Sequence, residues 1–395
     1  MKTPLEGLLV VDLTRALAGP YCTLMLGDFG ARVIKIEVPT GGDDTRGWGP
    51  PFIAGESAYF MGINRNKESL TLDLKTPEGQ QVLGRLITRA DVLVENFRPG
   101  IMERLGLAYP AVRALNPGLV YCSISGFGQD GPYRERTAYD LILQGMGGLM
   151  GITGEEGGPP VKVGVAVTDI AAGMFAAYGI LAALRVRDRT GAGQLVDVSM
   201  LDGQVAWMTY QAGHFFATDE NPKRLGSAHP SIVPYQAFRT RDGYVNVAVG
   251  SEAIWGRFVV AVGAPEMADD PRFRANPDRV AHRDALIVRL EELFAVRATA
   301  DWVAGLEEAG VPCGPIYLLS DLFADPQVRH RIMVVEMDHP RAGRIRQTGV
   351  PVKLSATPGR IVSPPPVLGE HTAAILAELG YDAETVRGMR RAGAI

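Results

Sequence analysis

Apolar and polar positions change their period along the chain, and the changes mark out elements. "GLLVVDL" (7–13) is a continuous apolar run of strand length, "PYCTLMLGDFG" (20–30) is a helical stretch closed by glycine, and "RVIKIE" (32–37) returns to strand character. Together they predict a βαβ unit. The alternation continues with "TPEGQQVLGRLITRA" as helix, "DVLVENF" as strand, a short basic helix around "GIMERLG", and "GLVYCSISGFG" as strand. Short apolar strands spaced by helices predict a mostly parallel, Rossmann-like α/β sheet whose ligands sit beyond the carboxyl ends of its strands.

From 145 to 160, "GMGGLMGITGEEGGPP" carries too much glycine for a regular element and predicts a mobile loop. Directly after it comes a long helix beginning near "VAVTDIAAGMFAAYGILAALRVRDRTG" (165–191), then "GQLVDVSMLDGQVAW" as strand and helix. The pattern changes again at "SIVPYQAFRTRDGYVNVAVG", an antiparallel hairpin turning at Asp242 and Gly243, followed by short helices. The predicted organisation is a large domain over 1–205, a smaller α+β domain over 225–325, and a linker with a C-terminal segment, 326–395, that returns to the large domain. The tail "SPPPVLGEHTAAILAELG" opens on prolines and ends as an amphipathic helix.

Composition narrows the partners. The chain has 395 residues and a net charge of -4, with lysines and arginines scattered, so no nucleic-acid groove is expected. The start, "MKTPLEGLLVVDLTRA", reads as a first strand rather than a signal peptide. Arginines at 185 and 187 interrupt the longest apolar run, so no membrane partner is expected either. Three cysteines, Cys22, Cys122 and Cys313, lie far apart and cannot all pair; a reducing, cytoplasmic compartment follows.

Several chemistries lose support at once. The six histidines are dispersed, so no metal site is expected; no G-x-S-x-G is present; and "TRALAGPYC" after the first strand lacks the glycines of a dinucleotide cradle. Cys22 fits inert packing better than a reactive thiol.

Asp169 stands out as a carboxylate at the head of an otherwise apolar helix. One reading makes it the helix cap; another makes it an ionised nucleophile at the mouth of a cavity, with Ala171, Ala172 and Gly173 leaving room beside it. Arg15, Arg46, Arg98 and Arg104 follow predicted strands or open helices, where a polyanion could be held.

The motifs "LTRALAGPYCTLMLGDFGARVIKIE", "GDDTRGWGPPF", "NRNKESLTLDLKTPEG", "DVLVENFRPG", "AYDLILQGMGGLMGITG", "VAVTDIAAGM", "TGAGQLVDVSM" and "PPVLGEHT", in this order from about residue 5 to the C-terminus, resemble the family III CoA-transferases. "GDDTRGWGPPF", "SAHPSIVPYQAF" and "GVPCGPI" are similar to its succinyl-CoA:glutarate branch. The resemblance implies the family's fold and an interlocked homodimer. It also implies an enzyme that moves CoA from an acyl-CoA such as succinyl-CoA to a dicarboxylate such as glutarate, with CoA thioesters as substrates and no resident cofactor. Asp169 then takes the place of the nucleophile that forms aspartyl anhydride and aspartyl-CoA thioester intermediates.

Ala16, Leu72, Asn96, Phe97, Arg104 and Tyr139 match the family's CoA contacts. Val38 and Thr137 depart from it, standing where relatives carry basic residues. Arg15 and Arg46 are the candidates for a substrate's distal carboxylate, because a guanidinium fork suits bidentate recognition. Two alternatives remain at this point: an α-methylacyl-CoA racemase, which resembles this family but carries "GHD" where this chain has "AYD" at 138–140, and a silent CoA-ester-binding protein.

Overall fold

The computed structural model describes residues 3–395, in two compact units. Of the described residues, the first comprises 3–149, 162–213 and 326–395, and the second comprises 150–161 and 214–325. The C-terminal segment thus belongs with the first unit, and 150–161, expected in the large domain, clusters with the second.

A six-stranded sheet forms the centre of the first unit. Its strands are β1 (Leu9–Asp12), β2 (Arg32–Glu37), β3 (Lys67–Thr71), β4 (Val92–Glu95), β5 (Val120–Ser125) and β6 (Leu195–Ser199), in the order β3-β2-β1-β4-β5-β6 with every neighbouring pair parallel. Register is set by apolar matches such as Val10 with Val33 and with Val92. Alternate residues go to opposite faces: Val11, Leu93 and Tyr121 join one core, Val10, Val94 and Cys122 the other. Helix α1 (Ala18–Asp28) and the long helix α4 (Val167–Thr190) cover the second face; α2 (Pro77–Ile87) and the C-terminal helices cover the first.

Strand order reverses between β1 and β4. In an open α/β sheet the loops leaving two such strands part and open a crevice, so the loops after Asp12 and Glu95 are where a ligand site is expected.

Four expectations need correction. Strand β3 was not predicted, because its sequence, KESLT, is polar; Lys67 and Ser69 are buried because they pair with Asp12 and Glu37 across the sheet. The glycine-rich stretch is partly helical, with α3 spanning Asp140–Met146 and one more turn at Leu149–Ile152. Lastly, α4 is 24 residues long and apolar enough to cross a membrane by length and composition, yet Ala172, Ala176 and Ile180 are fully buried against the unit's own core. The segment read as linker also contains a hairpin, Val334–His339 with Gly343–Thr348.

In the second unit, β7 (Tyr235–Arg239) and β8 (Tyr244–Ala248) form the predicted hairpin, closed by the Thr240 N–H donating to the Gly243 carbonyl at 2.9 Å, and β9 (Cys313–Pro315) adds a third antiparallel strand. Phe238 and Phe258 stack on Phe294, which Trp302 meets at a tilt, and the four rings form part of its core.

Candidate active site

The crevice expected from the strand order is present. A cleft of about 260 Å³ is lined by Arg15, Ala16, Asn96, Phe97, Tyr139 and Asp169, with Arg98, Arg136, Thr137 and Asp44 on its walls. Phe97 also lines two adjoining pockets, one with Leu72, Val38 and Lys75 and one with Arg104 and Arg134. Every CoA-contact candidate therefore borders this connected groove. Arg15, Arg98 and Arg136 line one cleft, an arrangement suited to anionic ligands.

A buried polar network fixes the floor. Lys67 Nζ binds Asp12 at 3.2 Å, the Pro20 carbonyl and Asn64, and Lys35 Nζ binds Asp43 at 2.8 Å and the Thr14 carbonyl. Burial alone would raise the Asp12 carboxyl, but Lys67 and Lys35 outweigh it and bring it down to about 2. Asp12 in turn accepts from Thr14 and Thr23, which shapes the loop after β1.

Above this floor, Asn96 clamps the loop. Its Oδ1 accepts the Arg15 N–H at 2.9 Å, and its Nδ2 donates to the Arg15 carbonyl at 2.8 Å. The next residue, Ala16, is held at φ 62° with its N–H donating to Asp43. A left-handed alanine is costly and persists where its surroundings over-determine it, as they do here. Asn96 thus spends its amide on the protein and shapes the cleft through the loop. Arg15 itself leans over the Phe97 ring, 5.7 Å from the centroid, and among the described residues its guanidinium forms no hydrogen bond or ion pair.

Arg46 does not reach the cleft. Its guanidinium lies over the Phe60 ring at 3.6 Å, binds both oxygens of Glu37 at 2.7 Å, and donates to the Pro366 carbonyl. Its donors hold Glu37 and the C-terminal segment, so the assignment to a substrate carboxylate is withdrawn.

Asp169 lies in the first turn of α4 without capping it. The N-cap is Ala166, and the orphan Thr168 N–H is taken by Asp140, the first residue of α3, at 2.9 Å, with the Thr168 hydroxyl on the same oxygen at 2.7 Å. The N–H of Ala18, the first residue of α1, instead faces Asp169 and favours its charged form. Ala171, Ala172 and Gly173 are buried at the α1 contact rather than open beside the carboxylate. Its ionisation also differs from expectation. Burial, then the charge of Asp140, push the Asp169 carboxyl up to about 7, and the Ala18 N–H only partly opposes them.

Tyr59 and Asp140 are site residues that sequence reasoning missed. Burial, then the charge of Asp169, push the Tyr59 phenol up to about 12, and its ring meets Trp48 edge-on at 5.1 Å. "AYD" contained Asp140, but nothing local in the sequence reveals that it caps a helix 28 residues on. Cys22 is fully buried, and burial holds its thiol far above the usual range, consistent with packing. Among the described residues no group of three or more His, Cys, Asp or Glu side chains is placed to hold a metal.

Residues 5–372 match CoA-transferase family III. The succinyl-CoA:glutarate CoA-transferase of Mus musculus is 45% identical, covering 99% of this chain and 90% of that protein. The succinate–glutarate CoA-transferase of Agrobacterium fabrum is 44% identical over 96% of both chains. The crystal structure of a CAIB/BAIF family protein from Brucella suis superimposes with a TM-score of 0.86 at 45% identity, covering 96% of this chain and all of that one. A carboxylate at the mouth of a cationic switch-point cleft and a family match across nearly the whole length agree: the chain belongs to CoA-transferase family III and is a CoA-transferase.

Proposed function

We propose that this enzyme transfers CoA from succinyl-CoA to glutarate through covalent intermediates on Asp169. The observation that carries the reading is the placement of the Asp169 carboxylate in the cleft, desolvated and faced by the Ala18 N–H. A carboxylate with few hydrogen bonds in a partly buried site is a stronger nucleophile than one in water.

An Asp169 oxygen attacks the succinyl thioester carbonyl, the C–S bond breaks, and CoA leaves as thiolate from an aspartyl–succinyl anhydride. The thiolate attacks Cγ of Asp169 and expels succinate, leaving the aspartyl-CoA thioester. Glutarate then attacks the same carbon, releasing the thiolate. Attack of that thiolate on the glutaryl carbonyl of the second anhydride gives glutaryl-CoA and returns the free carboxylate. No ATP and no net proton is needed, because each acyl bond retains the energy of the thioester.

Ala16, Leu72, Phe97, Arg104 and Tyr139 contact CoA along the groove, Asn96 acts through the loop it clamps, and Arg15 receives the distal carboxylate of the acid. CoA comes and goes as substrate. The working form is a homodimer: Met174, Tyr178, Leu181 and Val186 are exposed along α4, an apolar surface of the kind a second chain covers.

The reading is tested by incubating the protein with succinyl-CoA and a panel of acids and following new CoA esters by mass spectrometry. A CoA-mass adduct on the peptide containing Asp169, and its loss in Asp169→Ala, are expected. Absence of exchange with any acid, or transfer surviving in Asp169→Ala, overturns it.

A further inference from the structure

Asp140 makes no bond to Asp169, yet the structure ties the two together. Its Oδ1 accepts both the N–H and the hydroxyl of Thr168, the residue before Asp169, and its Oδ2 accepts the Gln144 amide at 2.6 Å. Gln144, fully buried, turns its own carbonyl to the Val163 N–H at 2.8 Å. One turn of α3 therefore grips the strand of chain leading into α4 at two points, Val163 and Thr168. The grip is needed because Ala166, at the N-cap position, has no side chain with which to satisfy the orphan amides of the first turn.

The choice of an aspartate for this task matters beyond geometry. A neutral acceptor would satisfy Thr168, whereas Asp140 adds a second carboxylate next to the one that reacts. The other groups around Asp169 are the Ala18 N–H from α1, Tyr59 from the helix Ala58–Ile63, and Arg15, Asp44, Arg136 and Tyr139 around the cleft.

We propose that Asp140 is a positioning residue with an electrostatic role: it fixes the first turn that carries Asp169 and sets a negative charge against the free nucleophile but not against its acylated forms. This deepens the reading given above and rests on it. Asp169 is anionic before attack and neutral as anhydride or thioester, so repulsion from Asp140 is felt only in the free state and is relieved on acylation. The arrangement favours covalent capture of CoA and makes the free carboxylate harder to ionise.

The test separates charge from support. Asp140→Asn keeps an acceptor for Thr168 but presents an NH2 to Gln144. Combining it with Gln144→Glu restores the bond between the two side chains and keeps an acceptor for the Val163 N–H, gives up only the 3.5 Å donation from Gln144 to the Val165 carbonyl, and moves the charge one side chain away from Thr168. Asp140→Glu keeps the charge. Difference infrared titration of the Asp169 carboxyl, identified by its absence in Asp169→Asn, reads ionisation without turnover.

The midpoint is expected to fall by about half a pH unit or more in Asp140→Asn and in the double variant, and to stay near the parent value in Asp140→Glu. The fraction of enzyme held as CoA thioester at a fixed succinyl-CoA concentration is expected to fall about threefold in parallel. A midpoint unmoved in the folded double variant reduces Asp140 to a cap and overturns the proposal. Failure of the function reading shows separately, as no adduct in the parent protein.

Discussion

Gly173 of α4 lies against Ala18 of α1 so closely that a Cβ on the glycine would stand 2.6 Å from the Ala18 carbonyl oxygen. The same approach brings the Ala18 N–H to the Asp169 carboxylate one turn away. Gly173→Ala must push backbone aside, at a cost of about 1–3 kcal/mol, and the displaced N–H loses Asp169. Gly179→Ala meets only the Val196 side chain, at 2.7 Å, farther along the helix. Both variants should melt lower, but only Gly173→Ala should lose kcat; equal turnover in the two folded proteins would sever packing from the site.

How much of this was legible depended on whether the cause was local. β1, β2, β4 and β5 show as apolar runs because parallel strands are buried on both faces. β3 does not, since the charge of Lys67 and the hydroxyl of Ser69 are tolerated inside through carboxylates more than thirty residues away, Asp12 and Glu37. Asp169 could be singled out because a charge heading an apolar helix is unusual, but its surroundings were read wrongly. The cap belongs to Asp140 and the donor to Ala18, and both relations are tertiary. Arg46 shows the same limit: "DDTRGW" places a guanidinium after a strand, and only the fold reveals Glu37 beneath it.

The ionisation of Asp169 predicts opposite trends for activity and stability. Its carboxyl, pushed up to about 7 by burial and then by Asp140, must lose its proton to attack, so kcat/KM should rise with pH through about 7 and level off above. Stability runs the other way. The folded state holds this proton more tightly than the unfolded chain, so the penalty is absent below the unfolded value of 3.8, grows between the two values and is complete above about 7. Asp169→Asn removes it, with an upper limit of about 4 kcal/mol at pH 8 and no gain at pH 3. Denaturant titrations at the two pH values check the sign, and an equal effect at both would contradict the assignment.

The two arginines first grouped as carboxylate receptors should separate cleanly. Arg46→Met leaves Glu37 buried without its partner, a loss of about 3–5 kcal/mol, with the preference for dicarboxylate over monocarboxylate acceptors unchanged. Arg15→Met breaks no side-chain hydrogen bond or ion pair among the described residues, so stability should move by no more than about 0.5 kcal/mol. Its effect belongs in recognition: KM for glutarate should rise about tenfold relative to a monocarboxylate, through loss of a charge-assisted contact. Steady-state kinetics with paired acids, beside thermal melts, distinguishes the two, and a selectivity change in Arg46→Met would reinstate it at the site.

Asn96 should act at a distance through one loop. Asn96→Ala removes the acceptor for the Arg15 N–H and the donor to the Arg15 carbonyl, leaving the 3.3 Å bond from the Ala16 N–H to Asp43 to keep Ala16 at φ 62°, which is too little to hold it there. Once free, alanine leaves the left-handed region, since that region costs it about 1–2 kcal/mol, and the loop closes over part of the groove. KM should then rise about tenfold for acyl-CoA and acid alike, because Arg15 and Ala16 move together. Ala16→Gly in the same background accepts φ 62° without strain and should recover part of the loss. If instead Asn96 bound CoA directly through its amide, glycine at 16 could restore nothing, and the acid's KM would stay at its parent value.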